Sequence, residues 1–261
     1  MALPNDIGGV IERLEEIIEE CIARRDRLGY FAALYNRVTE SVRAGIANGE
    51  FEDGPRMERL DVTFACRYLA AYDAYRAGEL PSTAWLKAFE ATQTDGYTVL
   101  QHLLAGMNAH INLDLGVAAA RTCAGSELAG LRGDFDRINA VLAKLTPMVE
   151  QELDEDSPIF NALTKIAPKL ELRLVGFSMD EARDAAWKFA TELAPLRHLP
   201  QVSKMAARDA DTALLAHAIL GDGLVVRLLR EHESRDVARN IETLAAGEFR
   251  CAVPAMIAPP A

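Results

Sequence analysis

The chain has 261 residues, 50% of them apolar, and a formal net charge of −11. That much apolar material fills one large core. A surface of this sign repels phosphate backbones and anionic membranes, so nucleic acid is set aside as a partner.

Helical periodicity runs through the chain. Ile7, Val10, Ile11, Leu14, Ile17, Ile18 and Cys21 follow an i, i+3, i+4 pattern, with Glu15, Glu16, Glu19 and Glu20 on the opposite face. A second helix carries Phe31, Leu34, Tyr35, Val38, Val42 and Ile46 and stops at Asn48-Gly49. Asp53-Gly54-Pro55 opens a third, with proline in the first turn, running to about Gly78. Pro81-Ser82 starts a short helix with Trp85 and Phe89, and Asp95-Gly96 leads into a central helix over 97–120.

Gly125 and Gly133 punctuate the chain beyond it. A helix from about Asp134 carries Phe135 and Ile138, with Pro147 as a kink, and Ser157-Pro158 begins another. The alternation over 170–175 leaves helix and strand both open. Ser178 and Glu181 form a capping box before a helix with Trp187, Phe189 and Leu193. Pro195 and Pro200 bracket a loop, and helices over 202–220 and 224–246 follow. The expected fold is all-α: about ten helices in one domain over 1–250, packed around the buried central helix, with a loose tail at 251–261.

The four cysteines, Cys21, Cys66, Cys123 and Cys251, form no C-x-x-C pair. They read as small thiols in a reducing compartment, not as a disulfide framework or zinc ribbon. No basic and apolar signal segment is recognisable, and 97–120 is too polar for a membrane span. A cytoplasmic protein is expected.

The central helix concentrates the chemistry. It contains no Lys, Arg or Glu and one formal charge, Asp114. A helix so apolar on every side is surrounded by protein. At about 100° per position, His102, Gly106, His110 and Asp114 fall on one drifting stripe. Gln101, Asn108 and Asn112 fall on another. A buried carboxylate costs several kcal/mol unless it is paired or bound to metal.

His110 and Asp114 are spaced i, i+4, about 6 Å along the axis. They can hold one divalent metal with help from other helices, or form a His–carboxylate acid–base pair. His102 lies about 12 Å up the axis from His110, too far to chelate with Asp114, and is expected in the pocket wall.

Asp61, on the third helix, sits among large groups and is the first choice for a second catalytic carboxylate, with Arg67 as its competing ion-pair partner. Tyr68, Arg67 and Tyr35 join His102, Asn108 and Asn112 as expected substrate contacts, and Arg37 is a surface candidate beside them. Each of these polar residues also has an ordinary reading as a packed, satisfied core group. His217 reads as a core histidine and Trp85 and Trp187 as core anchors. His232 and Asp236 repeat the H-x-x-x-D spacing on what looks like a solvated face.

No E-x-x-H, H-E-x-x-H, G-x-S-x-G, P-loop or G-x-G-x-x-G is present, so no nucleotide cofactor is expected. The expected partner is a small apolar molecule, and a homodimer stays open. A non-catalytic binder and a structural protein with a polar core are the alternatives to an enzyme.

Two motifs carry a resemblance. Phe51-Glu-Asp, Met57-Glu-Arg-Leu-Asp-Val62 and Arg67-Tyr-Leu69 form the first, and Val99-Leu-Gln-His-Leu-Leu-Ala-Gly-Met-Asn-Ala-His-Ile-Asn-Leu-Asp-Leu115 the second. Over about residues 30–120, and more loosely over its C-terminal half, the chain resembles the bacterial DUF5995 family. The family label implies no activity. The H-x-x-x-D pair is also similar to the all-helical zinc phospholipase C and S1/P1 nuclease group. The chain departs from that group in its scarcity of histidines, five in all, so neither its trinuclear zinc cluster nor its phosphodiester chemistry is expected.

Overall fold

The computed structural model describes residues 2–123, 127–138 and 179–246. Caps set most of the helix boundaries. α1 (Ile7–Arg24) starts where Asp6 accepts from the Gly9 amide, and it ends on left-handed Arg25. α2 (Gly29–Ala47) gives way to Asn48-Gly49, with Gly49 at φ 69°. α3 (Gly54–Arg76) is capped by Asp53 and α4 (Thr83–Ala91) by Ser82. α5 (Val99–Met107) passes without a break into a π-helix (Asn108–Leu115) and then α6 (Gly116–Thr122). A helical stretch at 128–138 follows, then α7 (Met179–Leu193), α8 (His198–Ile219), α9 (Leu224–His232) and α10 (Val237–Ala246). The architecture is the expected all-α bundle, with no strand among the described residues. No described helix is long and apolar enough to cross a membrane.

The continuous run 99–122 is the axis of the bundle. α2, α3, α4, α7 and α8 pack around it. Between Gln101 and Ala120 every residue is buried except Met107, which is half-buried. Small residues make that enclosure possible. A Cβ at Gly106 would stand 2.5 Å from the Phe31 ring, and one at Gly116 would stand 2.7 Å from the Ala186 carbonyl.

Three expected boundaries shift. The central helix begins at Val99, not Tyr97, because Thr98 and Gln101 form a reciprocal capping box. Pro200 lies in the first turn of α8, where proline's missing N–H is no loss, so that helix starts at His198. The expected helix over 224–246 breaks after His232. Glu233 turns extended there, and its carboxylate accepts from the Val99 amide at 3.0 Å. Pro147, Ser157-Pro158, 170–175, Ser178, Cys251 and the 251–261 tail lie outside the described residues.

Polar residues pin the helices together. Asp134 is fully buried and accepts from the Glu52 and Asp53 amides and from Arg56 and Arg137. Burial pulls its carboxyl upward, but these four donors outweigh that and hold it below the ordinary range. The amides opening α4 are taken by Asp209 of α8. Arg37, expected at the surface, is buried and donates to the Leu244 carbonyl. His217, expected in the core, is exposed on α8.

Candidate functional site

Asp114 is the fixed point of the site. It is 1% exposed and carries a formal charge, so its lone pairs must be matched. The Arg67 Nε donates to Oδ1 at 2.5 Å, and the Trp85 Nε1 donates to Oδ2 at 2.7 Å. α3 supplies the arginine and α4 the tryptophan. Arg67 therefore pairs with Asp114, and the expected Arg67–Asp61 alternative is not formed. Trp85 is a core anchor as expected, but its ring nitrogen also holds the carboxylate.

His110 sits one helical step from Asp114. Its Nδ1 lies 3.5 Å from Asp114 Oδ2, too long for a formed hydrogen bond. The π-helix shapes this pair: its i→i+5 bonding puts more residues in each turn, which stacks i and i+4 more nearly above one another. Aromatic rings enclose the imidazole. Phe64 stacks on it with ring centroids 3.5 Å apart, and the Tyr35 ring meets it edge-on at 4.4 Å. Neither His110 nitrogen has a hydrogen-bond partner among the described residues. Burial pushes the imidazole below its ordinary pKa, the Asp114 carboxylate opposes that, and Arg67 adds to it. The balance favours the neutral imidazole.

Three more orphaned groups lie on the neighbouring helices α2 and α3. Tyr35 Oη, Tyr68 Oη and Asp61 Oδ2 are buried without partners among the described residues. Asp61 is 6% exposed, and burial first, then the neighbouring Glu58 charge, raise its carboxyl to about 7. Burial also raises the Tyr35 phenol well above its usual value, with the Asp61 and then the Asp114 charge adding to it. Tyr35 thus lies in electrostatic reach of both carboxylates. A buried polar atom left unmatched loses its hydration energy, so a cluster of such atoms marks a place for water, ligand or substrate.

A groove of about 540 Å³ opens above Asp114 between α3, the start of α4 and α6. Its floor is Arg67, Trp85 and Asp114, and Arg121 stands at its rim. Val62, Ala70, Ala71, Ala74, Leu80 and Pro81 supply apolar walls, and Cys66 lines it as a half-buried free thiol. His110, Asp61 and Tyr35 are buried and do not line this groove.

The remaining expected contacts go elsewhere. Asn108 donates to the Thr212 carbonyl, and Asn112 donates to Asn108 Oδ1. Arg208 donates to the Asn112 carbonyl at 2.6 Å. Both asparagines face α8 and fasten the π-helix to it, so they stand away from the groove. Gln101 on α5, about two turns earlier, donates to the Ile219 and Gly221 carbonyls at the end of α8. His102 packs against Tyr30 and Tyr97, which line a second cavity of about 230 Å³. Burial first, then Arg27, lowers its imidazole to about 4. The pocket-wall place expected for it beside His110 is not what the fold provides.

Trp85, Phe64 and Arg121 were not legible as site residues. Trp85 and Phe64 carry ordinary core signatures, and Arg121 stands just beyond the central stripe, where the sequence turns polar. Among the described residues, no three His, Cys, Asp or Glu side chains converge as a metal site.

A sequence profile for a family of unknown function, DUF5995, matches residues 7–222. The chain belongs to the DUF5995 family. Every residue of the site lies inside the segment shared with DUF5995, while α9 and α10 lie beyond it. The DUF5995 match also extends well past the 30–120 stretch that carried the resemblance. No curated protein and no solved structure matches the chain.

Proposed function

We propose that this DUF5995 protein is an enzyme that acts on a small, largely apolar molecule by general acid–base chemistry. The observation that carries this reading is the partnerless buried imidazole of His110 beside the anchored carboxylate of Asp114, with the partnerless Tyr35 phenol packed on that imidazole and in electrostatic reach of both Asp114 and Asp61. A neutral His110 can take a proton at Nε2, because Nδ1 faces Asp114. The imidazolium so formed is stabilised by Asp114, whose orientation Arg67 and Trp85 fix. Asp61, with its carboxyl near 7, suits the complementary donor role at neutral pH.

The geometry supports the acid–base version of the pair over a metal-bound one. Both Asp114 oxygens already receive N–H donors, one from a guanidinium that would repel a cation. Free Cys21, Cys66 and Cys123 support a reducing, cytoplasmic setting. One observation favours a second reading, a non-catalytic carrier: His110 and Asp61 do not line the groove.

Parallel incubation of wild type, His110→Ala and Asp114→Asn with a small-molecule cell extract tests the proposal, with mass spectrometry following depletion. Wild type should consume at least one apolar compound, and both variants should slow this about a hundredfold or more. Folded variants that consume it at the wild-type rate would overturn the acid–base assignment. Binding without consumption by wild type would establish the carrier.

A further inference from the structure

We infer that the groove above Asp114 takes a molecule with one anionic head, a carboxylate or phosphate monoester, on a short apolar tail. This rests on the proposed function only in placing the ligand in that groove, and it is decided by binding alone.

The head would meet Arg67 and Arg121. Arg67 uses Nε on Asp114, and its terminal nitrogens make no hydrogen bond among the described residues. Arg121 makes no ion pair among them. Burial lowers the Arg121 guanidinium, the nearby positive charge of Arg67 lowers it further, and Asp114 opposes both. Two guanidiniums with a single carboxylate between them leave one positive charge unmatched. In a chain of net charge −11, an unmatched cationic spot inside a groove is a local exception with a purpose. Guanidinium forks suit carboxylate and phosphate oxygens alike. The opening amides of α4 are already filled by Asp209, so the arginines are the donors on offer.

The tail would lie on the other wall. Val62, Ala70, Ala71 and Ala74 form an apolar strip on α3 facing Pro81. Leu3 and Leu80 close that end at 46% and 82% exposure, and both are large hydrophobic side chains left open to water. An apolar rim of this kind gains when a tail covers it. The groove thus has a cationic end and an apolar end, which matches an amphipathic anion.

Isothermal titration of the full chain with octanoate, octyl phosphate, octan-1-ol and octylamine tests this. The two anions should bind at least about tenfold tighter than the alcohol, and the amine should bind weakest. Octanoate against octyl phosphate decides which anion is preferred. Arg121→Gln, at an exposed position, should cost both anions about tenfold and leave the alcohol unchanged, and Arg121→Lys should restore part of the loss. Equal binding of octanoate and octan-1-ol, unchanged anion binding in Arg121→Gln, or no binding at all would overturn the assignment. Turnover lost in His110→Ala alongside absent anion selectivity would sink this inference and leave the enzyme reading standing. Anion selectivity in a protein whose His110→Ala variant keeps full turnover would do the reverse.

Discussion

Trp85 donates its indole N–H to Asp114 Oδ2 at 2.7 Å, on the same oxygen that His110 Nδ1 approaches to 3.5 Å. The indole fills one acceptor site of that oxygen at hydrogen-bonding distance, and the imidazole stops short of it. His110 makes no hydrogen bond to that oxygen, and its burial favours the neutral imidazole.

Trp85→Phe keeps most of the ring in the core and removes the donor. A hydrogen bond to a buried charge is worth about 1.5–3 kcal/mol, and stability by urea denaturation should fall by that much. The freed oxygen should accept from His110 and favour the imidazolium, so the His110 pKa should rise. An NMR titration of the imidazole reads this directly. An unchanged His110 titration in a folded variant would show that Trp85 does not govern the pair.

Asp61 has its carboxyl raised from 3.8 to about 7 in the folded chain. The folded state therefore binds the proton more tightly than the unfolded state does. The stability this contributes is fully present below about pH 4 and is lost as pH rises to about 7. The gap corresponds to about 4 kcal/mol. Asp61→Asn removes the ionisation, so its stability relative to wild type should grow by up to that amount between pH 4 and pH 8. A difference that stays flat across this range would contradict the assigned environment.

His102 bends the curve the other way. Its imidazole drops from 6.5 to about 4 on burial, and both ring nitrogens lack partners among the described residues. The folded state binds this proton less tightly than the unfolded state. The corresponding stability is present above about pH 6.5 and is lost as pH falls through about 4, roughly 3 kcal/mol in all. His102→Phe keeps a ring against Tyr30 and Tyr97. Relative to wild type it should gain stability as pH is lowered from 7 to 4, measured by thermal or urea unfolding at each pH.

Much of the fold was readable because helices write their burial into a short period. Ile7, Val10, Ile11, Leu14, Ile17, Ile18 and Cys21 were grouped by spacing, and all seven are buried on α1. The Thr98-x-x-Gln101 capping box was equally available in the chain and fixes where the central helix begins. The break before α10 was not available, because Glu233 is drawn to Val99, 134 residues away in sequence.

The site divides along the same line. The chain by itself determined that 97–120 is enclosed and that His110 and Asp114 share one face, since both follow from composition and helical spacing. Only the tertiary structure decided the partners: Arg67 with Asp114 and not with Asp61, Trp85 as the second donor, the two asparagines turned to α8, and His102 set apart with Tyr30 and Tyr97. Spacing fixes which residues share a face of one helix. Which donor meets a given acceptor depends on how separate helices cross, and here close approach at Gly106 and Gly116 and the wider turn of the π-helix set those crossings.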